Sequence, residues 1–156
     1  MQYYHRYLAL FQLGDWPAVV RDTTRNLEMF SFVAEHAKGE ELAWSVQQYR
    51  PYVLMMNTRA KANLAIEKGD VEAGISLVEK GISRIERFLK DAGPGEGDGE
   101  NPEVTSLREW LGELKKIKPL TPVEKLRHEM DQAVKAEQYE RAAELRDAIR
   151  NLKRKG

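Results

Sequence analysis

The chain has 156 residues, 42% of them hydrophobic and 8% aromatic, enough for one cored domain or two small ones. Lys+Arg and Asp+Glu both number 25, so the net charge is zero and no overall field draws the protein to nucleic acid. There are no cysteines, which excludes a disulfide scaffold, a zinc ribbon and a thiol nucleophile.

The chain opens MQYYHRYLAL, without the basic start and long apolar run of a signal peptide. The longest apolar run in its middle, Val53 to Met56, is far too short to span a bilayer. A soluble, cytoplasmic protein with no membrane partner is expected. The helical pattern begins within three residues of Met1, as it would in a fragment of a longer protein.

Apolar residues at Tyr4, Tyr7, Leu8, Phe11 and Leu13 fall close to helical spacing, and Gly14-Asp15 breaks the pattern. Pro17 suits the first turn of a second helix, where its missing N–H is no loss. That helix carries Val19, Val20, Leu27, Phe30 and Val33 and ends between His36 and Gly39. A third stretch starts near Glu40, and Pro51 must kink or split it, since proline removes a bond and clashes with the preceding turn. The pattern resumes through Met56, Ala60, Leu64 and Ile66, stops at Gly69-Asp70, and returns from Val71 to about Leu89.

LGDWPAVV (13–20) is echoed by KGDVEAGI (68–75). Each reads helix, Gly-Asp, bulky residue, small residue, helix. This resembles the tetratricopeptide (TPR) helix hairpin, although the two copies are further apart than the roughly 34 residues of one such unit. The resemblance implies a TPR-like helical domain over residues 1–91. Trp16, Trp44, Tyr49, Tyr52, Met55 and Met56 would be its core, or the lining of a concave peptide groove.

DAGPGEGDGENP (91–102) cannot bury a core, and residues 92–102 read as a flexible linker. No strand precedes its glycines and no Gly-Lys-Ser/Thr follows, so it is no phosphate loop. A short connecting helix follows within 103–118, with Leu107, Trp110, Leu111 and Leu114 on one stripe, and Pro119 ends it. Thr121 as N-cap, Pro122 at the first helical position and Glu124 three residues on make a capping box.

Over 119–156 two short helices are expected around a turn at Lys135–Gln138. The first carries Val123, Leu126, Met130, Ala133 and Val134; the second carries Tyr139, Ala142, Ala143, Leu145, Ile149 and Leu152. Such a pair buries too little apolar surface to stand alone, so it must dock on its own N-terminal domain, on a copy of itself or on another protein. Arg146 and Asp147 suit either an ion pair across an interface or a solvated pair with Glu144 or Arg150. The run EKLRHEMDQAVKAEQYERAAELRDAIRNLKR (124–154), above all its aromatic-Glu-x-Ala-Ala-x-Leu-Arg-Asp, resembles the UVR motif. Tyr139 stands where phenylalanine is more usual. That motif is shared by the excision-repair helicase UvrB and the UvrC nuclease, and is similar to segments of a protein-arginine kinase activator and some Clp-type ATPases. The resemblance implies a bacterial adaptor whose hairpin pairs with a second UVR hairpin, on another protein or on a second copy. Leu126, Met130, Tyr139, Ala142, Ala143, Leu145, Arg146, Asp147, Ile149 and Leu152 are the expected interaction residues.

The alternative is a nucleotide-excision-repair accessory with weak DNA contact through the basic tail Arg150, Lys153, Arg154 and Lys155. Cations at a helix C-terminus are also favoured by the helix dipole alone. No catalytic, cofactor-binding or metal-ligating residues are expected. His5, His36 and His128 are isolated, Glu124–His128 is spaced only for a surface hydrogen bond, and no Gly-x-Ser-x-Gly elbow is present. A non-catalytic, all-α protein is therefore expected: TPR-like hairpins followed by an antiparallel hairpin.

Overall fold

The computed structural model describes residues 2–92 and 100–155. Among them every regular element is an α-helix: α1 (Gln2–Gln12), α2 (Trp16–His36), α3 (Glu40–Gln47), α4 (Arg50–Glu67), α5 (Val71–Ala92), α6 (Pro102–Ile117), α7 (Pro122–Lys135) and α8 (Tyr139–Lys155). The chain divides into two compact units, Met1–Ile117 and Lys118–Gly156. Most of the stretch read as a linker, 93–99, lies outside the described residues. No described helix is long and apolar enough to cross a membrane.

In the first unit α4 lies at the centre, packed on α2, α5 and α6, with α1 and α3 against α2. Pro51 splits rather than kinks its helix. The chain turns at Gln48-Tyr49, and Pro51 sits in the first turn of α4, where its missing N–H would have had no intrahelical acceptor. The core gathers Tyr7, Leu27, Phe30, Val53, Leu54, Val78, Ile82 and Ile85. Val104, Leu107 and Leu114 of α6 belong to it too, so the expected connecting helix is part of this core. Arg59 of α4 holds α6 in place: one Nη donates to Ser106 Oγ at 2.8 Å, and the guanidinium lies 5.0 Å from the Trp110 ring centroid. Burial pushes its pKa below the ordinary arginine value.

The two Gly-Asp pairs fold alike. Gly14 (φ 70°) and Gly69 (φ 84°) are in the left-handed region. At the first turn Asp15 N–H donates to Leu10 O and Gly14 N–H to Phe11 O; at the second Asp70 N–H donates to Ala65 O and Gly69 N–H to Ile66 O. These are the paired bonds of a Schellman C-cap. Each aspartate then caps the next helix, Asp15 accepting from Ala18 N–H and Asp70 from Ala73 N–H.

The aromatic residues of the first unit do not line one groove. Trp16 packs edge-on against Phe11 and donates from Nε1 to Glu67 at 2.6 Å. Tyr52 lies beside Tyr7, Met56 is buried, and Tyr49 is exposed.

Candidate interaction surface

The second unit is built from its capping residues inward. Thr121 Oγ1 accepts from Glu124 N–H at 3.2 Å, and Thr121 N–H donates to Glu124 Oε2 at 2.7 Å, closing the capping box expected from the sequence. The bond from the Thr121 backbone, then that to its side chain, hold the Glu124 carboxyl below the usual carboxylate range. Glu124 is therefore occupied at the cap. His128 Nε2 instead lies 3.1 Å from Gln132 Nε2, so the Glu124–His128 hydrogen bond suggested by spacing is not what forms.

The turn between α7 and α8 repeats the two Gly-Asp turns without a glycine. Gln138 N–H donates to Ala133 O and Glu137 N–H to Val134 O, the same Schellman pair. The left-handed position is held by Glu137 at φ 59°. Its location was legible, its kinship to the other two turns was not, because the glycine that marks them is missing.

Within the hairpin, Leu126, Met130 and Ala133 of α7 pack against Ala142 and Leu145 of α8. Ile149 is also buried, and Ala143 is half-buried. The small Ala133 and Ala142 let the two helices come close. Other apolar residues are left outside: Tyr139 is 66% exposed, Val134 49% and Leu152 41%. Beside the turn lies an open groove of about 330 Å³, lined by Ala133, Ala136 and Leu145 together with Glu129 and Arg141. Arg141 pairs with Glu144 at 3.0 Å.

The predicted interaction residues thus divide. Leu126, Met130, Ala142, Ala143, Leu145 and Ile149 are turned wholly or partly inward, whereas Tyr139, Leu152, Arg146 and Asp147 face out. Arg146 and Asp147 pair with each other at 3.1 Å, both well exposed, rather than with Glu144 or Arg150. Among the described residues no three His, Asp or Glu side chains gather as they would to hold a metal ion.

Residues 121–155 match the family model for UVR, the UvrB/uvrC motif. The match runs from the capping threonine through α8, so the UVR segment and the second compact unit nearly coincide. No curated protein and no solved structure matches the chain. The UVR hairpin therefore carries what is known by likeness, and the first unit is described by its own geometry.

Proposed function

We propose that the protein is a non-catalytic adaptor of the bacterial cytoplasm. Its UVR hairpin docks on a second UVR hairpin, and its first unit, a TPR-like helical domain, serves as the scaffold that carries it. The partner hairpin belongs to a second copy of this chain or to another UVR protein. One observation carries the reading: Tyr139, Val134 and Leu152 remain exposed on a hairpin whose inward residues are already engaged with one another. A hairpin of this size leaves apolar surface that an opposing hairpin would cover, making a small four-helix bundle. The groove at the turn, with Ala133 and Ala136 in its lining, offers a recess for a partner side chain.

Sedimentation velocity of the full chain tests this. A dimer is expected, and Tyr139→Asp is expected to return it to monomer. Tyr139 opens α8, where an acidic residue suits the helix dipole, so the substitution leaves the hairpin folded. Leu145→Asp is a poor test, because Leu145 is 3% exposed and its loss unfolds the hairpin itself. A wild-type chain that stays monomeric and also fails to bind other UVR hairpins would overturn the proposal.

A second reading rests on the exposed Arg150, Lys153 and Arg154, which form no ion pair among the described residues and suit phosphate contacts. It expects DNA binding whose log affinity falls against log salt with a slope of about −3. Neutralising the three residues would abolish it.

A further inference from the structure

The first unit has an open cleft of about 460 Å³ between α2, α4 and α5, remote in sequence from the UVR hairpin. Its positive charge comes from Arg50 and Lys61 of α4 and Arg84 of α5. None of the three has a carboxylate within ion-pair distance among the described residues. Arg50 is held in place rather than left loose. Its Nε donates to Gln47 Oε1 at 2.7 Å and one Nη to Ser31 Oγ at 3.1 Å, and its guanidinium lies near the Phe30 and Phe88 rings. Gln47 is itself buried and bonded to the Phe30 carbonyl of α2. Burial, and after it the charge of Arg84, push both Arg50 and Lys61 below their ordinary values. Arg84 is thus coupled to each of the other two cations. Glu28 and Glu35 share the cleft without pairing to any of the three cations, whose mutual repulsion an anion would relieve.

We infer that this cleft binds a small phosphorylated molecule, its phosphate or pyrophosphate group held by Arg50, Lys61 and Arg84. Two arginine forks and an ammonium suit the several oxygens and double charge of such a group. Leu27 and Phe32 on the α2 wall lie where the uncharged part of the ligand would pack. Glu28 and Glu35 also line that wall, seven residues apart and so about 10 Å along the helix. They would repel an extended polyanion threaded through the cleft, which favours a compact ligand over a nucleic-acid strand.

The test is isothermal titration of the full chain with inorganic pyrophosphate, with potassium chloride of matched ionic strength and citrate as controls. Saturable pyrophosphate binding is expected, with backbone amide shifts in α4 and α5 in a parallel NMR titration. Arg84→Ala should weaken it about tenfold or more. Arg84 is exposed, so the variant folds, and an unchanged thermal melt verifies this. Absence of binding at about 10 mM pyrophosphate, a free energy too weak to matter, overturns the inference. So does equal binding by Arg84→Ala, and so does citrate binding as tightly as pyrophosphate.

Discussion

Gly81 is where the α4–α5 packing is tightest, and replacing it with alanine probes that directly. A Cβ built on Gly81 would stand 2.8 Å from Thr58 Cβ, and closer still to the Thr58 methyl and hydroxyl. Rotating Thr58 gives no escape, because its Cβ is fixed to the α4 backbone and its χ1 is stiff. With that rotamer fixed, the helices must separate by roughly 1 Å to restore ordinary contact with the methyl and hydroxyl as well. The surroundings are filled by Val78, Ile82 and Ile85, so the strain spreads through packed core. Overpacking of this kind costs about 1–3 kcal/mol, against which alanine gains about 1 kcal/mol in helix propensity. The net effect is a loss of about 0–2 kcal/mol, toward the upper end because the clash is at a Cβ and not at the end of a flexible chain. Gly112, midway along α6, is the matched control: nothing lies within 4 Å of its built Cβ. Gly112→Ala should stabilise by about 1 kcal/mol. Urea unfolding followed by tryptophan fluorescence reads both, since Trp16, Trp44 and Trp110 all lie in the first unit. If Gly81→Ala raises the midpoint as Gly112→Ala does, the close α4–α5 approach is not real.

Two further outcomes concern the second unit. Glu137→Gly should stabilise the hairpin by about 1 kcal/mol, read by hydrogen exchange of α7 and α8, because a left-handed residue with a side chain is replaced by one without the penalty. Glu124 has a folded pKa held below its unfolded value, so its contribution is fully present above the unfolded pKa and is lost as pH falls through the folded one. Thr121→Ala removes the side-chain half of the cap and should lower hairpin stability by about 1 kcal/mol at neutral pH, while the Thr121 N–H bond to Glu124 remains. Glu124→Ala removes the titrating group and should flatten the hairpin's stability profile on the acid side; an acid limb as steep as in the wild type would deny Glu124 this role.

The helices were legible wherever the chain punctuates itself chemically. Gly14-Asp15 and Gly69-Asp70 mark turns because one residue takes positive φ and the next caps. Pro51 marks a break because its ring excludes a continuous helix. What the sequence hid lies in the third dimension. Leu13 sits at the end of an apolar stripe yet is 81% exposed, since it falls at the end of its helix, where the stripe no longer faces the core. Leu145 and Tyr139 carry the same helical periodicity, but one closes the hairpin and the other faces out. Periodicity places apolar residues on a side of a helix and says nothing of which partner covers that side. Arg50, Lys61 and Arg84 carry no joint signal in the sequence because they come from two helices, and the turn between those helices brings them to one cleft.

The three Schellman turns make the case for an outside partner by comparison. Each is followed by a bulky residue that opens the next helix: Trp16, Val71 and Tyr139. In the first unit Trp16 is packed on Phe11 and tied to Glu67, and Val71 packs against the core, because a third helix always lies over the hairpin. The α1–α2 pair is backed by α4, and the α4–α5 pair by α2 and α6. The α7–α8 pair has no third helix in its own unit, and the corresponding residue, Tyr139, is two-thirds exposed. Covering that much of an aromatic side chain removes about 130 Å² from water, worth about 3 kcal/mol per hairpin before ordering costs. In a symmetric pair the gain is made twice, about 4 kcal/mol after about 1 kcal/mol of ordering for each side chain, which is about half of the roughly 8 kcal/mol that a micromolar dimer requires, so the exposed Val134 and Leu152 must be covered as well.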